Sequence, residues 1–274
     1  MIPLAPRGFF SRDYAPVATV DPGEPVVFQS LMSGWRWEWE ERWESPEGVG
    51  HALNGPFEVR GARAGQTLVV HIDDVRAYVW GVTGSHGESF LWRRDGEWWH
   101  LGERRVPSRP FLGVIGMPPP ERGEHSTIPP RRWGGNIDCK ELVAGTALYL
   151  PISVDGALVM AGDGHGAQGD GEVSGTAIEC PLERVQLRFE LSDLELRSPI
   201  ARVEGAWLAF GFDEDLDLAA EEAMATLLDL MERELGLRRN EALALSSVAV
   251  DLRVTQIVNE IKGVHAVLRD DAFR

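Results

Sequence analysis

Residues 183–191, ERVQLRFEL, alternate apolar and polar positions without a break. Val185, Leu187, Phe189 and Leu191 face one way, and Arg184, Gln186, Arg188 and Glu190 the other. That period of two predicts a half-buried antiparallel strand. QTLVVHIDDV (66–75) and TALYLPISV (146–154) read as further strands, each approached through a glycine turn at Gly65 or Gly145. After Phe212 the period lengthens. Ala220, Met224, Leu227, Leu228, Met231 and Leu235 recur at helical spacing, acidic residues fill the first turn, and Gly236 stands where a C′ glycine belongs. A second helical piece, NEALALSSVAVDL (240–252), follows. The pattern therefore predicts a β-rich body with a C-terminal helical hairpin, an α+β chain that is mainly β. No linker or repeat interrupts it. It is one unit, softly divided into a β-rich part (1–135), a second β part (136–212) and a helical part (213–274).

Two segments break the pattern. MPPPERGEHSTIPP (117–130) is too rich in proline for a ladder or a helix and predicts an irregular loop. WRWEWEERWESPE (35–47) alternates tryptophan with charge at first, which predicts an edge strand or a lid packing its indoles inward. A sugar-stacking surface is the functional reading of the same residues.

Composition adds limits. The 274 residues suffice for a sizeable core. An apolar share of 43% and a charged share of 26% are those of a globular protein. With 27 basic against 43 acidic residues the formal charge is −16, so nucleic acid and anionic membranes are poor partners. The start, MIPLAPRGFF, has neither the basic end nor the apolar run of a signal peptide, and two cysteines, Cys139 and Cys180, make no disulfide framework. A reduced, cytoplasmic protein is expected.

Candidate chemistry concentrates in one stretch. Between Gly162 and Glu172 lie five glycines, three carboxylates, His165 and Gln168. Gly164, Gly166 and Gly169 match a dinucleotide fingerprint only formally, because no helix follows and the carboxylates would repel phosphates. An EF-hand spacing is absent. Asp163 and His165, two apart on extended backbone, point to one face beside bare glycines. Crowded carboxylates raise one another's pKa unless a cation neutralises them, so one imidazole with carboxylates fits a divalent metal site. A solvated acidic turn is the alternative.

Longer motifs carry a resemblance. GDGHGAQGDGEVSGTAIE resembles a GD-x-H-x-x-QGDGEV-x-GTAIE signature, and GEHSTIPPRRWGGNIDCKEL, PFLGVIGMPPP, GFDEDLDLA and ALSSVAVDLRVTQIVN are similar to further blocks of one family in the same order. That family is the acetamidase/formamidase family. The resemblance implies a metal-dependent hydrolase of short linear amides that releases ammonia and a carboxylate. It also implies a β-sandwich or jelly-roll-like body and a homodimer or higher homo-oligomer. Ser174 stands where many members carry cysteine, and Cys139 occupies a variable position. A family member that binds a small ligand or sugar through its tryptophans without catalysis is the alternative.

Roles follow from what amide hydrolysis needs: activated water, a stabilised oxyanion and a proton for the leaving nitrogen. His165 is the first metal ligand, Asp138 the second, and Asp163 and Glu179 further ones, with zinc the favoured ion. Glu172 is the expected general base and acid. Gln168 and Asn136 suit orientation of an amide, and His125 suits ligation or carbonyl polarisation. Each admits a structural role: turn capping for Asp138 and Asp163, an arginine partner for Glu179, a loop anchor for Gln168, a loop cap for His125. Asp170, Lys140 and Glu141 read as turn or surface charges. A Cys139–Lys140–Glu141 trio cannot converge as adjacent strand residues.

Overall fold

The computed structural model describes residues 1–44 and 50–273. Residues 45–47 of the tryptophan-rich segment lie outside the described part.

The principal layer is an eight-stranded sheet in the order Val250–Gln256, Lys262–Arg269, Ala206–Asp213, Ile200–Val203, Thr146–Pro151, Thr67–Ala77, Leu182–Ser192, Pro25–Ser30. A five-stranded sheet lies across it, in the order Gly134–Asn136, Phe111–Gly116, Val159–His165, Leu53–Val59, Ala18–Val20. The two form a sandwich with one continuous core. Phe28, Leu68, Val70, Ile72, Leu182, Leu187 and Phe189 come from the first sheet, and Phe57, Val59, Leu112, Ile115 and Val159 from the second. All three sequence parts contribute strands to the larger sheet, the first two interleaving and the third adding its two strands at one edge.

The ERVQLRFEL alternation is realised: Val185, Leu187 and Phe189 are fully buried, while the opposite face forms cross-strand ion pairs. There Arg188 holds Asp73 with two donors, Nε at 2.7 Å and Nη2 at 3.0 Å. These pairs reinforce the register against Thr67–Ala77.

Helix α1 (Leu216–Leu235) covers the far face of the eight-stranded sheet. Asp215 caps it, accepting from the amides of Asp217 at 2.8 Å and Leu218 at 3.3 Å, and Gly236 ends it in the left-handed region. Ala219, Ala223, Leu227 and Met231 pack on Ala209, Val264 and Ala266. Leu235, at the end of the stripe, is 48% exposed. Gly211 lets the helix backbone approach the sheet; a Cβ there would overlap the carbonyl of Ala219 and the amide of Ala223.

The C-terminal expectation needs correction. Helix α2 (Arg239–Ala249) has no side-chain cap and stops three residues early. The sequence from Val250 onward becomes an edge strand paired with Lys262–Arg269. Alternating Val250, Leu252 and Val254 satisfy a ladder better than a further helical turn. The hairpin is thus followed by a return to the main sheet.

The proline loop is irregular apart from His125–Ser126, which pair with Phe9–Phe10. The prolines flank this pair and leave its amides free. The described residues of the tryptophan segment, 35–44, form no strand and pack as a lid. Trp35 is 2% exposed, Trp37 packs on Tyr78 with centroids 5.0 Å apart, and Trp39 meets Trp80 edge-on at 5.7 Å. A four-stranded meander, Trp80–Ser85, Glu88–Asp95, Trp98–Leu101 and Arg104–Pro107, lies beside it. Among the described residues no helix is long and apolar enough to cross a membrane.

Two tests follow from this packing. Gly211→Ala should lower stability by about 3 kcal/mol or more, since helix and sheet backbones cannot both yield; an unfolding free energy from urea titration within about 1 kcal/mol of wild type would contradict the close approach. Asp73→Asn should cost about 1 kcal/mol at neutral pH. The Arg188 bond holds the Asp73 carboxyl below its ordinary range, so this stability is complete above the ordinary aspartate pKa. It is lost as pH falls through the folded value. Wild type and variant melting curves should therefore converge in acid.

Candidate active site

The site begins on the Val159–His165 strand, where every residue is buried. Asp163 and His165 point to one side, as their spacing predicts. The neighbouring Phe111–Gly116 strand pairs Phe111 with His165 and Leu112 with Gly164. This brings Gly113 against the acidic side chains. A Cβ on Gly113 would overlap Asp163 Oδ2 and stand 2.7 Å from Asp138 Oδ1, so only glycine leaves that space open. Asp138 arrives from the turn after Gly134–Asn136, its amide bonded at 3.2 Å to the carbonyl of Gly113. Glu179 is placed by an isolated bridge to His165 and another to Val82. Glu172 comes from the glycine-rich turn, whose ends are tied by Glu172 N to Gly169 O at 3.3 Å and Gly175 N to Glu172 O at 2.8 Å.

The carboxylates converge on one imidazole. His165 Nε2 lies 3.2 Å from Asp163 Oδ2 and 3.2 Å from Glu179 Oε1, and Nδ1 lies 3.9 Å from Asp138 Oδ1. Asp138, His165 and Glu172 form one group of converging donor atoms, and Asp163, His165 and Glu179 another, each within 4.8 Å. Asp138, Asp163 and His165 are each 1% exposed.

Gln168 fixes the histidine's proton. Its Nε2 donates to the carbonyl of Asp138 at 2.7 Å, which leaves Oε1 facing His165 Nδ1 at 2.9 Å. An amide oxygen only accepts, so Nδ1 carries a hydrogen. When the ring is neutral, Nε2 is therefore a lone pair directed at two carboxylates.

Electrostatics follow from this crowding. Burial alone would lower the His165 pKa, but Glu179 and Asp163 outweigh it and hold it well above its ordinary value. Burial raises Asp138, and Glu172 adds to the rise. Burial would also raise Asp163, yet His165 and His51 bring it below its ordinary range. Glu172 is pushed up to about 7 by burial, with Glu179 and Asp163 adding and His165 opposing. Asp138, Asp163 and Glu172 all hold positive φ, at 54°, 61° and 47°, a costly conformation that clusters at functional sites.

Other expected residues are placed as follows. Asn136 is buried and its Oδ1 has no hydrogen-bond partner. His125 lies outside both converging groups, its Nε2 3.1 Å from the carbonyl of Glu121 on the proline loop. Among the described residues Glu179 has no arginine partner; it accepts from Ser33 Oγ at 2.8 Å and from the amide of Ala177 at 3.0 Å. Asp170 pairs with Lys140 at 2.8 Å. Glu141 departs from the surface reading, since it turns inward to Cys139 and Arg253.

Four residues join the site that sequence reasoning did not single out. Gly113 and Asn259 lie within motifs quoted above, Gly113 in PFLGVIG and Asn259 at the end of VTQIVN. Asn259 Nδ2 donates to Asp138 Oδ2. Ser33 and His51, the latter 4.0 Å from Asp163 Oδ2, carry no local signal.

The donor set fits a divalent cation. Four carboxylates and one imidazole suit such an ion, and Asp138 Oδ1 and Asp163 Oδ1 are buried without hydrogen-bond partners. Gly113 keeps the space between them free of a side chain. Gln168 also lines a cavity of about 380 Å³ bounded by Trp92, Val106, Arg109, Lys140 and Ile178.

The sequence model of the acetamidase/formamidase family matches residues 117–269, which include Asp138, Asp163, His165, Glu172, Glu179 and Asn259. A formamidase of Methylophilus methylotrophus is 53% identical over 195 residues, 45% of this chain and 47% of that protein. An acetamidase of Mycolicibacterium smegmatis is 46% identical over 48 residues, 18% of this chain and 12% of that protein. The chain spans less than two thirds of the length of the curated relatives it matches. The crystal structure of an acetamidase from Bacillus halodurans superposes with a TM-score of 0.88 at 28% identity, over 96% of this chain and 95% of that one. The family match covers more than half of the sequence and takes in the converging carboxylates and histidine, so the chain belongs to the acetamidase/formamidase family.

Proposed function

We propose that this protein hydrolyses a short linear amide of the formamide or acetamide class, with a divalent cation held by His165, Asp163, Glu179 and Asp138. Zinc is the first choice of ion and manganese its competitor. The observation that carries the reading is the Nε2 atom of His165. Its tautomer is set by Gln168 and it faces two carboxylates at 3.2 Å beside the space kept open by Gly113. The relatives' names, formamidase and acetamidase, supply the substrate class. The reading carries with it a homo-oligomeric assembly and a cytoplasmic setting, in keeping with two buried, unpaired thiols.

A bound cation would supply polarisation of the substrate carbonyl and acidification of water. The chain's own residues do the rest. Glu172, with a carboxyl near neutrality, takes the proton from water as its oxygen attacks the carbonyl carbon. It returns that proton to the nitrogen as the carbon–nitrogen bond breaks, so ammonia leaves with the carboxylic acid as the other product, which then gives its proton to solvent and becomes the carboxylate. Asn136 Oδ1, buried and unpartnered, is free to accept an N–H of the substrate. Gln168 already uses its oxygen on His165 and a donor on Asp138; it positions the imidazole.

The deciding assay measures ammonia from formamide, acetamide and propionamide, with stripped protein and after metal reconstitution. Turnover that needs the metal supports the reading, and binding of amides without turnover under any metal sinks it. Glu172→Gln should lower kcat by roughly 10²–10⁴, with metal content and melting temperature near wild type. A joint fall of occupancy and activity, restored by excess metal, would make Glu172 a ligand instead. Gly113→Ala should abolish metal binding by filling the cradle, while a variant with full occupancy would show that the cation sits elsewhere.

A further inference from the structure

One residue beyond Asp138, the same turn contributes to a second buried cluster. Cys139 is fully buried, and its Sγ lies 3.3 Å from Glu141 Oε2. His265, on the Lys262–Arg269 strand, is also fully buried, with Nε2 3.8 Å from the same carboxylate oxygen. The three donor atoms all lie within 4.8 Å of one another. Tetrahedral zinc, with bonds of about 2.0–2.3 Å, sets its ligand atoms roughly 3.3–3.7 Å apart, so these separations need little adjustment. Sulfur, imidazole nitrogen and carboxylate oxygen are the donors zinc takes.

The independent sign is His265 Nε2. Among the described residues it has no hydrogen-bond partner, although it is buried and aimed at Glu141. Its other nitrogen, Nδ1, is engaged by Thr255 Oγ1 at 2.8 Å, the contact that orients a metal-bound histidine. Burial holds the ring below its ordinary pKa, which keeps a lone pair available. Glu141 is likewise fixed from outside, Arg253 Nη1 donating to its Oε1 at 2.9 Å and leaving Oε2 for the cluster. Lys140, between the two ligands in sequence, points away to Asp170.

We propose that Cys139, Glu141 and His265 form a second metal site for a zinc-class divalent cation, distinct from the carboxylate-rich site at His165. Such an ion would displace the thiol proton, which leaves to solvent, and bind the thiolate. Its effect would be structural. It would staple the turn that carries Asp138 to the hairpin formed by Val250–Gln256 and Lys262–Arg269, whose connection supplies Asn259 to Asp138. The proposal does not depend on amide hydrolysis.

Cobalt separates the two sites, because only this one holds a sulfur donor. Chelator-stripped full-length protein titrated with Co²⁺ should develop a sulfur-to-cobalt charge-transfer absorption in the near ultraviolet. C139S should lose that band and bind one equivalent less. H265Q, which keeps both thiols, should lose or strongly weaken the band too, so the test survives if C139S folds poorly. C180S should keep it. Absence of the band in wild type at excess Co²⁺, its survival in C139S, or its loss in C180S would each overturn the assignment.

Discussion

Carboxyl groups buried around one imidazole dominate this molecule. Asp138, Asp163, Glu172 and Glu179 meet at His165 inside a hydrophobic sandwich, where one imidazole faces four carboxyl groups and burial holds Asp138 and Glu172 above their ordinary pKa. Burial penalises every uncompensated charge. Yet the backbone does not relax to separate them. Three of the carboxylates sit in the left-handed region, at roughly 1–3 kcal/mol each. A fold that holds such residues together is spending stability on the site, and a bound cation is the simplest compensating term.

The two central strands of the smaller sheet make that arrangement rigid. Phe111–Gly116 and Val159–His165 are buried along their whole length and paired on both sides. Trp99, fully buried in the meander, donates its Nε1 to the carbonyl of Gly166 at 3.1 Å, one residue past His165. The glycine-rich turn is thus clamped at its start by an indole, and Asp138 is tied to the carbonyl of Gly113. Bare backbone serves for close approach here, and its freedom is removed by hydrogen bonds.

Much of this was legible in the chain. The period-two alternation of 183–191 and the capped stripe of 216–235 specify their structures locally, so both elements were readable. Asp163, His165, Gln168, Glu172 and Glu179 fall within seventeen residues, and a spacing of two predicts the first two on one face, which the structure keeps although Asp163 itself adopts a left-handed backbone. The end of α2 was not readable, because VAVDL suits a helix or a strand until Lys262–Arg269 offers a ladder. Nor were Ser33 and His51, whose roles exist only because the lid folds across the sheet edge. Glu141 read as a surface charge for the same reason. Its partners Arg253 and His265 are more than a hundred residues away in sequence.

These distant contacts share one logic. Asn259 takes Oδ2 of Asp138 and leaves Oδ1 without a partner; Ser33 takes Oε2 of Glu179 and leaves Oε1 beside His165. Each outer donor binds one oxygen of a carboxylate and so aims the other at the centre. Gln168 does the same for the imidazole by occupying Nδ1, and Thr255 and Arg253 repeat it at Cys139, Glu141 and His265. A carboxylate free to rotate would present either oxygen, or turn from its neighbours to water, and the repulsion would open the cluster. With one oxygen held, rotation breaks a hydrogen bond, so orientation is enforced from outside. Ser33 beside the lid and Asn259 in the connection of the C-terminal hairpin therefore act on the chemistry through the angles at which they hold Glu179 and Asp138, groups that other elements supply.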